Sequence, residues 1–236
     1  MTSPAAFRAQ MKHLYRMGWR GIPLNEWDGR EKTFVLAFDD GYQCVGDFVP
    51  DILTEFGFRA TIFMPTGFLG RKNDWDHQVY GLKFSHLNAN GLVELAEAGW
   101  EIGSHTVSHR SLTDLSMDRI ARELFESKKI LAEICGQPIT SLSFPFGRYN
   151  RHVLDTAILA GYIRGIVPAY IGNSVSSASL SLFEADAVYM WDRFLRLEGR
   201  LERSGTLYRT GRLFRRIVNR VSLGTVIYQR LSSGRS

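Results

Sequence analysis

Residues 34–41 read FVLAFDDG, an apolar run that ends in two acidic residues and a glycine. Such a run is typical of a strand that is buried on both faces, as in a parallel sheet covered by helices. Apolar residues at helical spacing follow, and then a second apolar run, RATIFM, at 59–64. We therefore predict a strand–helix–strand unit with Asp39 and Asp40 at the carboxyl end of its first strand. Active sites of α/β proteins lie at that end of the sheet.

The same alternation of short apolar runs and amphipathic stretches continues along the chain. Further strands are predicted at 101–104, 141–144 and 163–167, and a first helix spans 7–15. Helices are also predicted after three N-cap residues, Asn90, Ser116 and Asn150. Residues 65–87 show weak periodicity and are predicted to form a long loop. Five or more such units favour a parallel sheet with helical crossovers, either a barrel or an open doubly wound sheet.

Composition excludes several classes of protein. The chain has 236 residues, of which 44% are hydrophobic and 22% charged, so it is neither disordered nor too small for its own core. No run approaches the roughly 18 apolar residues of a membrane-spanning helix. Cys44 and Cys135 are the only cysteines, which excludes a disulfide scaffold. The first 19 residues lack a basic region followed by an apolar run, so no signal peptide is predicted and we expect a cytoplasmic protein.

Positive charge is concentrated at the C-terminal end. Residues 193–236 contain eleven arginines and two glutamates, a net charge of +9, whereas the whole chain carries +5. Apolar residues alternate with arginines around 212–221, which predicts a short basic amphipathic helix that could lie on an anionic membrane surface. Two alternatives are a solvated arginine-rich face and a helix that packs on the main domain. Because no recognised binding motif accompanies the arginines, no nucleic-acid partner is expected.

Chemistry-bearing residues follow three of the predicted strands. Asp39 and Asp40 repel each other unless a cation compensates, although a lone Asp-Asp-Gly is more often an ordinary turn. His105 and His109 are four residues apart and could share one ion, or could be two incidental surface histidines. Their combination with an aspartate favours zinc or a similar divalent metal. The third segment, SFPFG at 143–147, is a turn that could aim an N–H group at a substrate oxygen.

The segments FDDG, HTVSH and FPFG, in this order and spacing, resemble the polysaccharide deacetylase (NodB-homology) family, carbohydrate esterase family 4. Their surroundings, RATIFMPTGFLG, LAEAGWEIGSHTVSH and SFPFGRYN, are also similar to that family, and the resemblance covers roughly residues 33–190. It implies an α/β fold, a distorted (β/α) barrel of the NodB-homology type with about seven strands. It also implies hydrolysis of N-acetyl groups on an amino sugar, with acetate as one product.

The resemblance also implies roles for individual residues. Asp39 would be the general base, and the backbone N–H of Phe146 would stabilise the oxyanion. The metal ligands, with zinc as the expected ion, would be Asp40, His105 and His109. Substrate-binding positions expected around the third segment are Pro145, Gly147 and Arg148.

Two of the departures from the family pattern concern residues expected to act in catalysis. Ser143 stands where many members have an arginine that steadies the base, and Arg148 is a candidate substitute. The late histidine that serves the family as general acid is missing, since no histidine follows His152. Candidates for the proton donor are His77, His86 and His152, although His152 is more typical of a helix surface.

We therefore predict a metal-dependent deacetylase domain at 1–192, followed by an Arg-rich extension at 193–236. The expected substrate is an N-acetylated polysaccharide or oligosaccharide. Two alternatives are a catalytically silent carbohydrate-binding protein on the same fold and a deacetylase of lipid-linked sugar. The extension could hold the protein at the periphery of an anionic membrane.

Overall fold

The computed structural model of the chain describes residues 3–73, 83–168 and 179–185. Five α-helices and eight β-strands lie in these ranges. The helices are α1 (Pro4–Arg16), α2 (Gln43–Thr54), α3 (Ala89–Glu97), α4 (Met117–Cys135) and α5 (Arg151–Leu159). The strands are β1 (Arg20–Gly21), β2 (Thr33–Phe34), β3 (Ala37–Phe38), β4 (Thr61–Met64), β5 (Glu101–Ser104), β6 (Ser141–Ser143), β7 (Arg164–Pro168) and β8 (Ser181–Ala185).

Strands β3 to β8 form one curled, all-parallel sheet in which the spatial order follows the chain order. A doubly wound sheet would reverse its strand order at a switch point, and the described strands show no such reversal. The alternative of an open doubly wound sheet is therefore wrong, and the predicted distorted (β/α) barrel is confirmed. Strands β1 and β2 pair with each other in a separate two-stranded sheet.

The segment 34–38 was predicted as one strand buried on both faces, and this prediction is wrong. The segment is split between β2 and β3, and Val35 and Leu36 belong to neither strand. The chain changes partners here, because Phe34 pairs with Gly21 of β1 whereas Ala37 pairs with Thr61 of β4. Strand β3 is at the edge of the described sheet, so its side chains are only half-buried or exposed.

Helix boundaries follow local capping. Asn150 begins α5 as predicted, since its side chain accepts a hydrogen bond from Val153 N at 3.0 Å. Helix α3 begins earlier than predicted, because Asn88, not Asn90, accepts the hydrogen bond of the first turn, from Gly91 N at 2.9 Å. The long helix α4 begins after Ser116 as predicted, but the Ser116 side chain makes no capping hydrogen bond. Leu124 of this helix is fully buried in the main core.

The amino-terminal end of the barrel is closed around a buried carboxylate, that of Glu101 at the start of β5. Its Oε1 accepts a hydrogen bond from Ser141 Oγ at 2.5 Å. Its Oε2 accepts from Thr61 Oγ1 at 3.0 Å and from Asn25 N at 2.9 Å. The first residues of β4, β5 and β6 are thus joined to the segment that precedes β2, and the carboxylate has partners on both oxygens.

Three predicted features fall outside the described residues. They are His77, the domain boundary at residue 192 and the Arg-rich extension at 193–236. Within the described ranges, the helices are all too short or too polar to span a bilayer.

Candidate metal centre

Three side chains from two segments converge at the carboxyl end of the sheet. Asp40 follows β3, and His105 and His109 follow β5, with β4 between the two strands. Oδ1 of Asp40 lies 3.2 Å from Nε2 of His109 and 3.5 Å from Nε2 of His105. One ligand atom from each residue lies within 4.8 Å of those of the other two. The structure therefore brings together the three side chains that the sequence predicted as metal ligands.

Unusual backbone conformations cluster at this point. Among the described non-glycine residues, φ is positive at Asp40 (68°), Thr106 (68°), His109 (52°) and Phe146 (58°), and otherwise only at Lys32 (57°). The left-handed region costs a non-glycine residue about 1–2 kcal/mol. Backbone strain of this kind is typical of functional sites, where the surrounding fold maintains it.

The charges of the three ligands are coupled. Burial raises the pKa of Asp40, but the neighbouring imidazoles of His109, His105 and His86 outweigh burial and lower it to about 2. Burial is also the largest influence on His105 and lowers its pKa, although Asp39 and Asp40 act in the opposite direction. At neutral pH the pocket therefore holds an ionised carboxylate and a neutral imidazole, the protonation states that bind a divalent metal.

The donor set fits a divalent metal ion. Asp40 Oδ1 is buried and has no hydrogen-bond partner among the described residues, which is costly unless a cation lies beside it. His105 Nδ1 lies 2.8 Å from the carbonyl oxygen of Ser143, so Nδ1 carries the proton and the lone pair of Nε2 faces Asp40. Metal-binding histidines are commonly oriented by such a hydrogen bond. Two imidazole nitrogens and one carboxylate oxygen suit zinc or a similar first-row ion.

Asp39 borders the centre without belonging to the ligand cluster. Its side chain is exposed, and its negative charge favours protonation of His105, which places it within electrostatic reach of the ligands. No ion pair joins Asp39 to Arg148, although both residues are described. Arg148 is half-buried and follows the FPFG turn, so its proposed role as a substitute arginine stays a prediction.

The FPFG turn lies against the second histidine. The Phe146 ring packs edge-on against the His109 ring, with centroids 4.9 Å apart. The turn is closed by Gly147 N, which donates to Phe144 O, and by Arg148 N, which donates to Pro145 O. The N–H of Phe146 is not a donor in these turn hydrogen bonds. The ring contact places the turn beside His109, and Pro145 and Gly147 are buried. The expected oxyanion role of the Phe146 N–H stays a prediction.

Comparison with known proteins agrees with this geometry. Residues 27–164 match the polysaccharide deacetylase family. The chain belongs to this family. YxkH of Bacillus subtilis, classed by name with the polysaccharide deacetylases, is 31% identical over 168 residues, which cover 68% of this chain and 56% of that protein. The chitooligosaccharide deacetylase of Rhizobium leguminosarum is 26% identical over 142 residues, which cover 59% of this chain and 58% of that protein.

Solved structures of polysaccharide deacetylases share the fold. A polysaccharide deacetylase from Bacillus cereus superposes with a TM-score of 0.69 at 21% identity, covering 84% of this chain and 61% of that chain. The chain spans little more than half the length of the two curated relatives described above. The predicted NodB-homology fold is thus confirmed by sequence and by structure.

The family's late histidine is missing here, and the two candidate proton donors among the described residues, His86 and His152, differ in position. His86 is next to the centre: its backbone pairs with Tyr42, just after Asp40, and its charge lowers the pKa of Asp40. The ring is buried against Tyr42, and Nδ1 lies 2.8 Å from the carbonyl oxygen of Arg71. His152 is exposed on α5, in agreement with the surface interpretation.

Sequence reasoning missed how tightly the loop between the two histidines is held by the turn after β4. Thr66 N donates to Thr106 O at 3.0 Å, and Gly67 N donates to Val107 O at 2.9 Å. A Cβ atom at Gly67 would lie 2.8 Å from Val107 O, so a side chain there would push the two segments apart. Gly67 in PTGF was the available signal, since glycine is favoured where another segment of backbone approaches closely.

Proposed function

We propose that this chain is a metal-dependent hydrolase that removes N-acetyl groups from an amino-sugar oligosaccharide or polysaccharide. One observation carries the proposal: Asp40 and the two imidazoles of His105 and His109 converge beside the exposed carboxylate of Asp39. Membership of the polysaccharide deacetylase family supports the same reaction class.

The residues of the centre divide the work of amide hydrolysis. Asp40, His105 and His109 would hold the ion, which supplies Lewis acidity to water and to the amide carbonyl. Asp39 is exposed to solvent and takes a proton from the attacking water as general base. The N–H of Phe146 donates a hydrogen bond to the carbonyl oxygen as negative charge develops there.

The departing amine must receive a proton, because an amide anion is a very poor leaving group. We assign this role to His86, because of the two described candidates it is the one whose backbone pairs beside the ligand segment, whereas His152 is exposed on α5. With Nδ1 directed at the carbonyl of Arg71, Nε2 is the atom that would transfer the proton, and substrate must reach it although it is buried in this structure. The His86→Gln variant should lose turnover by roughly 10²–10⁴-fold, whereas His152→Gln on α5 should keep it. Equal losses in both variants would contradict this assignment.

The substrate class rests on the relatives. Their names specify chitooligosaccharide, chitin and peptidoglycan N-acetylglucosamine as substrates, and N-acetylglucosamine is common to these polymers. We infer that this chain also acts on an N-acetylglucosamine-type sugar, free in a polymer or linked to a lipid.

Acetate release from N-acetylglucosamine oligomers, with and without a chelator, tests the proposal. We expect release that stops with chelator and returns when zinc is added. Asp39→Asn should bind metal as the wild type does and lose turnover, whereas Asp40→Asn should lose both. Release that persists in chelator would refute metal dependence, and oligomer binding without any release would favour the silent carbohydrate-binding alternative.

A further inference from the structure

One carboxylate outside the metal centre accepts several hydrogen bonds from the loop that connects the two histidines of the centre. Oε2 of Glu123, on α4, accepts hydrogen bonds from the successive backbone N–H groups of Val107 and Ser108, both at 2.8 Å. Its Oε1 accepts a further hydrogen bond from Ser108 Oγ. Two consecutive N–H groups that converge on one anion form a concave backbone site of the kind that binds anions in proteins. Here the anion is a side chain of the same molecule.

The remaining polar groups of this loop are held from other directions. Thr106 N donates to Ser104 Oγ at 3.2 Å, and the carbonyls of Thr106 and Val107 accept from the turn after β4. The loop is therefore hydrogen-bonded to two elements, the turn after β4 and helix α4. The turn after β4 holds its carbonyls, and Glu123 holds two of its N–H groups.

Helix α4 is well placed to fix this geometry. One turn beyond Glu123, the hydroxyl of Ser127 lies 2.8 Å from that of Ser104, the residue before His105. Leu124, between these two contacts, is fully buried in the core. Glu123 and Ser127 thus attach one face of α4 to the chain on both sides of the first imidazole, and the attachment is anchored by core packing.

The hydrogen bonds from Glu123 lie where the loop backbone is strained. Thr106 and His109 both have positive φ, at 68° and 52°, with the Glu123 contacts between them. A loop that passes twice through the left-handed region returns to ordinary conformations unless its surroundings prevent it. The direction of each imidazole depends on this backbone path, because both side chains emerge from it.

We propose that Glu123 is a positioning residue of the metal centre: its carboxylate fixes the spacing of the His105 and His109 imidazoles and thereby sets the affinity for the ion. This inference rests on the proposed function, since it assumes that the three ligands hold a metal. Glu123 itself is not among those ligands.

Metal affinity of the full chain, freed of metal with a chelator, tests the inference. Zn²⁺ affinity is measured by competition with a chromophoric chelator, and ligand geometry by the visible absorption of the Co²⁺ form. Glu123→Ala should weaken Zn²⁺ binding by about 10–100-fold, the range for residues that orient metal ligands, and should change the Co²⁺ spectrum. Glu123→Gln should retain most of the affinity, because its amide oxygen still accepts from both N–H groups. The matched control is Glu126→Ala, which removes an exposed carboxylate from the same helix and should bind like the wild type.

Glu123→Asp keeps the charge but shortens the side chain, and it replaces the alanine variant if that variant does not fold. It should also weaken Zn²⁺ binding, because the carboxylate is withdrawn from the loop. Wild-type affinity and an unchanged Co²⁺ spectrum in the folded variants would overturn the inference while leaving the proposed function intact. A wild-type chain that binds neither ion would instead refute the proposed function.

Discussion

Nδ1 of His105 lies 2.8 Å from the carbonyl oxygen of Ser143, which joins the ends of β5 and β6. The contact is to the main chain, so it does not depend on the side chain at position 143. Ser143 stands where many members of the family carry an arginine, and the orientation of the first imidazole is independent of that difference. The resemblance implies that the arginine steadies the proposed base Asp39, so its absence bears on Asp39 and leaves the hydrogen bond of His105 in place.

The metal-free protein should lose stability as the pH falls below about 6.5. Burial lowers the pKa of His105 in the folded state, so between that pKa and the unfolded value of 6.5 the unfolded chain binds more protons. Stability therefore rises with pH across this window and is fully present above it. Urea unfolding in chelator at pH 5 to 8 measures the slope. His105→Gln, which cannot titrate, should flatten it, and an equal slope in this variant would contradict the assignment.

The carboxyl group of Asp40 should make stability depend on pH in a more acidic range than His105 does. Its pKa is about 2 in the folded state against 3.8 ordinarily, so its contribution is present above pH 3.8 and is lost as the pH falls towards 2. Asp40→Asn in chelator should weaken the dependence of stability on pH between about 2 and 4, because asparagine does not titrate. An unchanged slope in this acid range would contradict the assignment.

Gly41→Ala should destabilise the chain more than an equivalent change elsewhere. Gly41 has a φ of 59°, and an added Cβ would lie 2.2 Å from Sδ of the buried Met64. The left-handed backbone costs about 1–2 kcal/mol, and overpacking adds about 1–3 kcal/mol. Gly57→Ala is the matched control, because its φ is 66° and nothing lies within 4 Å of the added atom. Similar losses of unfolding free energy in the two variants would show that Met64 adapts without cost.

Phe146→Ala should keep most of the turnover. The oxyanion donor is the backbone N–H, which remains, and loss of such a donor would cost about 10²–10³-fold in turnover. The variant loses the ring contact with His109, worth about 0.5–1.5 kcal/mol, so its unfolding free energy should fall. The unfolding free energy of Phe146→Gly should be equal to or higher than that of Phe146→Ala, because glycine adopts a φ of 58° without strain. Turnover of Phe146→Ala that falls by about 10²-fold or more would assign the ring a part in the reaction.

The Arg-rich extension, residues 193–236, should bind anionic vesicles more tightly than neutral ones. The expectation rests on its net charge of +9 and on the amphipathic pattern around 212–221. Sedimentation with vesicles containing phosphatidylserine, at low and high salt, measures it. A chain that ends at residue 192 should not sediment with either vesicle. Equal binding to neutral and anionic vesicles would refute the prediction.

The ligand cluster could be predicted from the sequence because each ligand directly follows a strand signal. In a parallel sheet, residues after Phe38 and after Ser104 must meet at one edge, so local patterns were sufficient for Asp40 and His105. The split of 34–38 into two strands was not predictable, since Val35 and Leu36 are as apolar as their neighbours and only tertiary pairing separates them. Strand β8 was missed because SLFEA at 181–185 has only a short, irregular apolar pattern.

Features that depend on distant contacts had no local signal. The positive φ at Thr106 and Phe146 occurs at residue types that seldom adopt it. The partnership of Glu123 with Val107 and Ser108 joins α4 to a loop 15 or 16 residues away, and helical periodicity places Glu123 on a face without naming its partner.

Strand β5 is pinned at both extremities: Glu101 is tied into the base of the barrel, and His105 follows the last residue at the opposite rim. A shift of β5 by a single position would leave the Glu101 charge in an apolar interior. It would also move the imidazole of His105 out of line with Asp40. The base and the rim must consequently reach their native register together. Ion binding should then report on completed assembly of the whole β3–β6 region, and a partly folded intermediate should not bind zinc.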